Sequence, residues 1–339
     1  MAAPGAPRTI LITGAAGNLG SRLGRHLLAG PHHIRLMVHR SPLPSDLQGA
    51  PGVEVVRADL GQPESLRPAV RGADTVVHFA GVLFAPRPER FLPVTNTAWF
   101  GNLLDACVAE GVDRVVLISF PHVEGPTTPE HPATGRLDGR PTSAHARTRL
   151  EEERLLMAKT EGTATTPVSL RLGMVYGPGI LMIEGARWLA RHRVLGVWRD
   201  PTWIHVISTD DFLAVTTAAA TCPGIQGIYH AGDEHPLTLQ EFLDQASDIW
   251  GVRRPWRMPL WMIRLAATLC ELGARALRKP SPLTRDFIEI GRVSYCGDTR
   301  RMRSELLAQL KYPSFEDGSQ TLASRPAGGS GPHPANRTL

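Results

Sequence analysis

Three glycines spaced three apart, Gly14, Gly17 and Gly20, follow directly on the apolar run Ile10-Leu11-Ile12. The run reads as a buried strand, Gly14 as its turn and residues 21–28 as the helix that follows; a second strand over 34–38 completes a βαβ unit. A turn of this kind aims backbone N–H groups and a helix N-terminus at a pyrophosphate, Gly17 letting the backbone approach and Gly20 letting helix pack on strand. The stretch is therefore expected to cradle a dinucleotide, with Ala16, Asn18 and Leu19 completing the turn.

The alternation continues along the chain. Strands are expected over 53–56, 75–79, 115–118 and 168–172, and helices over 63–70, 96–110 and 142–159, with a Pro- and Gly-rich loop over 120–141. Strands alternating with helices imply an α/β fold on a doubly wound parallel Rossmann sheet, whose ligand crevice lies at the strands' C-terminal ends. Those ends carry Gly14, His39, Arg40, Asp59, Ala80, Gly81 and Ser119. Beyond 180 the pattern loosens, which suggests a smaller C-terminal substrate domain. Residues 1–179 are expected to bind the dinucleotide, with 203–232 returning to that domain, 180–316 to serve mainly the substrate, and the polar tail over 317–339 to be disordered. The run Glu151-Glu152-Glu153 reads as a solvated or partner-facing stripe on its helix.

Composition excludes several classes. The formal charge of +5 comes from arginine spread along the chain rather than from a basic face interleaved with aromatics, so no nucleic-acid partner is expected. Four cysteines, Cys107, Cys222, Cys270 and Cys296, show no paired spacing, which argues against a disulfide framework or a zinc site. His122, His131 and His145 with Glu124 and Glu130 match no ligand spacing either, and no metal is expected. The first eight residues hold no signal-like apolar run, and Arg257, Arg264, Glu271 and Arg275 interrupt 256–277, which suits an amphipathic helix rather than a membrane span. A cytoplasmic protein is expected.

Taken in order, the motif from Thr13 to Gly20, Ala58-Asp59-Leu60, His78-Phe79-Ala80-Gly81, Arg171 with Tyr176-Gly177-Pro178-Gly179, and His205 with Asp210-Asp211 resemble the extended short-chain dehydrogenase/reductases. That family holds the sugar-nucleotide epimerases, dehydratases, dihydroflavonol reductases and 3β-hydroxysteroid dehydrogenases, and the segment 255–284 is closer to the last two. The resemblance runs from Thr9 to about residue 315. It implies that Asp59, beside Leu60, bonds the adenine, that Phe79-Ala80-Gly81 lines ribose and pyrophosphate, and that Asn96 contributes from the next helix. Users of NAD in the family carry an acidic residue after the second strand; His39 and Arg40 stand there, so NADP(H) is favoured over NAD(H).

The resemblance also implies a Ser or Thr after the fifth strand and a Tyr and Lys four apart on the next helix. Counted from Gly125, those positions fall on Phe120, His145 and Arg149, with Ser119 adjacent to the first. His145 can serve as acid or base, while the permanently charged Arg149 would hold it neutral and bind ribose hydroxyls. Phe84, Phe91, Trp99, Phe100 and Phe120 are expected to wall an apolar cavity beside the nicotinamide, to which His145 and Tyr176 also contribute. The expected function is an NADP(H)-binding enzyme acting on a carbonyl or hydroxyl of a small, fairly apolar molecule. A non-catalytic NADP(H) sensor or assembly subunit, and a non-redox isomerase or cyclase, are the alternatives. A homodimer through the helices beginning near Asn96 and Thr142 is a further expectation.

Overall fold

The computed structural model describes residues 7–81, 88–277, 281 and 283–324. Its centre is a seven-stranded sheet in the order β3-β2-β1-β4-β5-β6-β11, with all neighbours parallel. The strands are β1 (Thr9–Thr13), β2 (His33–Val38), β3 (Val53–Arg57), β4 (Thr75–His78), β5 (Arg114–Ser119) and β6 (Thr166–Leu172), followed by the short β7 (Met174–Tyr176), β8 (Gly196–Trp198), β9 (Trp203–Ile204) and β10 (Val206–Ser208). β11 (Gly227–Ala231) closes the sheet, and β12 (Leu237–Thr238) and β13 (Trp256–Met258) lie outside it. The helices are α1 (Asn18–Leu28), α2 (Pro63–Val70), α3 (Trp99–Ala109), α4 (Ala144–Thr160), α5 (Leu181–Arg191), α6 (Thr209–Thr221), α7 (Leu239–Ile249), α8 (Leu260–Leu277), α9 (Arg285–Gly291), α10 (Arg300–Glu305) and α11 (Phe315–Gly318).

Strand residues alternate between two cores. Ile10, Ile12, Val77 and Val116 face one, while Leu11, Val76, Val115 and Leu117 face the other with Phe100, Leu103 and Leu104 of α3. Both faces are covered, α1 and α6 packing on one side and α2, α3 and α4 on the other, which is why the central strands are apolar throughout rather than alternating with polar residues. β3, at the edge, leaves Glu54, Val55 and Arg57 exposed.

Two expectations need correction. Order does not stop at 317: α11 opens on a capping box between Ser314 and Asp317, and the turn Ser319–Ala323 buries Leu322. Phe315 anchors the segment, packing edge-on to Tyr176 at 5.0 Å between ring centroids and against Phe242 at 4.6 Å. One aromatic ring outweighs the polar composition around it. The second correction concerns the acidic run on α4. Glu152 and Glu153 are fully buried and only Glu151 is exposed, because two arginines enter the interior to meet them.

Candidate active site

β1 turns at Gly14, whose φ of 68° lies in the left-handed region that glycine favours. A Cβ there would stand 2.9 Å from the Ala80 backbone nitrogen, so the turn rests directly on the chain leaving β4. Gly17 caps α1 with no side-chain bond, and the N–H groups of the helix's first turn have no intrahelical acceptor. Gly20 backs onto Gly14, where a Cβ would lie 2.5 Å from the Gly14 carbonyl oxygen. An open helix N-terminus and glycines at each close approach fit the pyrophosphate of a dinucleotide. Ala16 and Leu19 pack half-buried on the main core. The Asn18 side chain is engaged elsewhere: its Nδ2 donates to the Gly179 carbonyl at 3.0 Å, and Arg22 donates to the Pro178 carbonyl at 2.8 Å. These bonds tie the cradle to the Gly177-Pro178-Gly179 turn.

At the far end of the crevice, His39 Nε2 lies 3.2 Å from Asp59 Oδ2, and Asp59 Oδ1 accepts from the Gly61 N–H at 2.9 Å. Arg40 is exposed and, among the described residues, makes no ion pair. Trp99 lies over Gly61, 3.1 Å from where a Cβ would be, and so sits at the Asp59 end. Phe100 is fully buried, its ring 4.7 Å from that of His78. α3 packs between α2 and α4 and turns its apolar residues to that interior. Phe84 lies outside the described residues.

At the C-terminal ends of β1 and β4, His78 Nδ1 and Thr13 Oγ1 are 2.8 Å apart. Asn96, in a π-helical turn over Pro93–Ala98 of the kind often found at functional sites, is buried beside Gly81. A Cβ on Gly81 would lie 3.7 Å from Asn96 Nδ2 and 3.2 Å from Arg149 Nη2, so the three residues converge.

Ser143 caps α4 by accepting from the Ala146 N–H at 3.1 Å, and the buried side of that helix carries His145 and, one turn on, Arg149. Arg149 Nη1 donates to Glu152 Oε2 at 2.5 Å. His145 Nδ1 lies 2.6 Å from Oδ2 of Asp286, in the first turn of α9 and 141 residues away in the chain. The sequence reading missed this carboxylate. Arg149 pairs with Glu152, and His145 with Asp286. Ser119 is buried at the end of β5 and its hydroxyl has no partner among the described residues. Phe120 is half-buried, its ring 5.4 Å from that of His122, which in turn lies 4.1 Å from Tyr295. Phe120, His122 and Tyr295 thus pack as an aromatic cluster at this end.

Tyr176 does not belong to a pocket. It is fully buried against Phe242 and Phe315, and burial raises its phenol far above the usual range. Arg171 is likewise structural: it is fully buried, bonds Glu153 at 2.6 Å and Glu124, and donates to the Arg136 carbonyl at 2.7 Å. Burial alone would raise Glu124, but His230, Arg171 and the N–H groups of Gly135 and Thr134 overcome it and bring the carboxyl to about 2. This network pins the loop 120–141 against the sheet. Among the described residues no group of three His, Cys, Asp or Glu is placed to hold a metal ion.

Burial holds His122 neutral, lowering its pKa to about 3. An unfolded histidine titrates near 6.5. The stability His122 contributes is therefore present above pH 6.5 and lost as pH falls toward 3, with a slope of about 1.4 kcal/mol per pH unit. Urea unfolding of His122→Phe at pH 7 and pH 5 should show the variant gaining on the parent at pH 5 by more than 1 kcal/mol, on the order of that slope. An unchanged parent–variant gap at the two pH values would mean that His122 is not kept neutral by the fold.

Residues 10–197 match the NAD dependent epimerase/dehydratase family. Over 338 aligned residues, covering 88% of this chain and 99% of the relative, the sequence is 30% identical to 2-alkyl-3-oxoalkanoate reductase of Stenotrophomonas maltophilia. It is 28% identical to ceramide reductase of Caulobacter vibrioides, with 80% of each chain covered. Among solved structures, the Bordetella bronchiseptica enzyme WbmG in complex with NAD and UDP superposes with a TM-score of 0.73 over 95% of both chains at 20% identity. With the glycine cradle, the parallel sheet and these likenesses in agreement, the chain belongs to the NAD-dependent epimerase/dehydratase family of extended short-chain dehydrogenase/reductases.

Proposed function

We propose that the chain is an NADP(H)-dependent reductase acting on a carbonyl, or the corresponding alcohol, of a fairly apolar small molecule, with His145 exchanging the proton and Asp286 holding His145. The observation that carries this reading is the buried contact of 2.6 Å between His145 Nδ1 and Asp286 Oδ2, one helical turn from an arginine that reaches Gly81. A bound nicotinamide dinucleotide supplies the hydride. In the reductive direction His145 would give the substrate oxygen its proton as the carbonyl becomes an alcohol. Arg149, neutralised by Glu152, holds the cofactor's ribose from the position where the family has lysine.

Phe120, where the resemblance puts a hydroxyl residue, is half-buried and packs on His122, so this end of the site favours an apolar substrate body. The relatives named for 2-alkyl-3-oxoalkanoates and for ceramide support the same class, since both names denote molecules with alkyl chains. Asp286 comes from the 180–316 portion, which supports that portion as the substrate side.

A second reading, nucleotide binding without turnover, draws on the 4% exposure of His145. One experiment separates the two. NADPH oxidation is followed with a panel of alkyl-substituted 3-keto acids and esters, alongside the affinities of parent and Arg40→Asp for NADPH and NADH. Turnover is expected, with NADPH bound at least tenfold more tightly than NADH and the gap closed or reversed in Arg40→Asp, because a guanidinium can pair with the 2′-phosphate. Tight NADPH binding with no turnover on any member selects the second reading, and equal affinities in the parent at low salt remove the NADP(H) assignment.

A further inference from the structure

α8 is apolar on two opposite sides. Ile263, Ala267 and Ala274 are buried against the body, whereas Trp261, Leu265, Leu269 and Leu272 are 51–65% exposed. At 100° per residue the second set forms a continuous outward stripe diametrically opposite the first, and Arg264, Thr268, Glu271 and Arg275 line one flank. The stripe extends beyond the helix. Trp256 of β13 is 66% exposed, and its N–H donates to the Leu195 carbonyl at 3.0 Å, which sets it beside the exposed Val194. Apolar patches of this extent on a folded chain mark a surface that meets something.

Charge indicates what it meets. Arg191 and Arg193 precede Val194, Arg199 follows β8, Arg253 precedes Trp256 and Arg275 stands near the end of α8; all are exposed, and among the described residues none makes an ion pair. Most acids in this neighbourhood are already matched, Asp244 with Arg257, Asp248 with Arg254, Glu271 with Arg285 and Glu289 with Arg264, while the exposed Asp200 offsets its neighbour Arg199 and leaves the other four arginines uncompensated. An apolar stripe ending in two tryptophans and bordered by uncompensated arginines is complementary to a bilayer with anionic headgroups, the rings seating at the interface and the arginines at the phosphates. No described helix is long and apolar enough to cross a membrane, so α8 would lie in the plane of the surface.

We infer that the outer face of α8, with Trp256 and Val194, docks the protein on an anionic lipid bilayer. α8 packs on α9, the helix carrying Asp286, so docking would bring the proposed catalytic end close to a source of apolar substrate; the docking itself does not depend on the reaction.

The test is co-sedimentation of the full chain with vesicles of phosphatidylglycerol and phosphatidylcholine (about equal parts) and with phosphatidylcholine alone, at low and at physiological salt. Partition onto the anionic vesicles should be at least tenfold stronger and fall with salt. Leu265→Asp with Leu269→Asp should reduce it at least tenfold, and so should Arg253→Glu with Arg275→Glu, a surface pair that leaves the apolar packing untouched should the first variant fold poorly. Absence of binding, or equal binding to both vesicles, overturns the inference. It is also overturned if the parent is a dimer by light scattering, the leucine variant is a monomer and vesicles are not bound, since the face would then belong to a second copy of the chain.

Discussion

His145→Ala is expected to lower kcat on any accepted substrate by roughly two to four orders of magnitude while leaving NADPH affinity near the parent value. The expectation comes from position. On the proposed function, His145 on α4 takes the place the resemblance gives to the proton-exchanging tyrosine, one turn before the arginine that reaches Gly81. Loss of the imidazole should also remove the corresponding limb from the pH dependence of kcat/KM. Asp286 acts through His145 and is a positioning residue. Asp286→Asn keeps the shape but not the charge, and it should lower kcat by about ten- to a hundredfold with KM little changed, Asp286→Glu recovering part of the loss. If His145→Ala turns over like the parent, proton transfer does not pass through this residue and the non-catalytic reading takes over. Restoring the family triad is less simple than the sequence implies. A lysine at 149 would have to satisfy the buried Glu152 alone, and a tyrosine at 145 would meet the Asp286 carboxylate.

What could be read in advance divides along physical lines. The cradle, the sheet and the points where strands end are local: an apolar run, a glycine and a helix start are adjacent in sequence, and the parallel order follows from their alternation. Interactions across long separations were not legible. Asp286 has no spacing relation to His145; the only local sign was Thr284, whose hydroxyl caps α9 by accepting from the Phe287 N–H at 3.2 Å. The burial of Glu152 and Glu153 was hidden for the same reason, because each is decided by one arginine and only Arg149 lies nearby in the chain. Trp99 and Tyr176, expected at a pocket, pack against Gly61 in one case and Phe315 in the other.

Gly17→Val should weaken NADPH binding at least a hundredfold, a loss of about 2.7 kcal/mol or more, while the chain remains folded. The three glycines of the cradle do not carry the same constraint, and this decides which of them tests it. Gly14 has a positive φ and no room at Ala80, and a Cβ on Gly20 would strike the Gly14 carbonyl, so side chains at either position strain the fold as well as the site. Gly17 has a φ of −77° that any residue adopts, and a Cβ there meets only the Gly14 carbonyl oxygen, at 3.0 Å, a looser approach than at Gly14 or Gly20. Its absence of a side chain is therefore better explained by a ligand than by the fold: the residue caps α1, and bulk placed there stands where backbone N–H groups must approach a pyrophosphate. Thermal unfolding of parent and variant, each with and without NADPH, reads both quantities at once. The variant without nucleotide should melt within a few degrees of the parent, equivalent to about 1–2 kcal/mol for a chain of this size, whereas the NADPH-dependent rise should disappear. A variant that NADPH still protects as fully as the parent would show that Gly17 is a turn residue and that the nucleotide is held elsewhere.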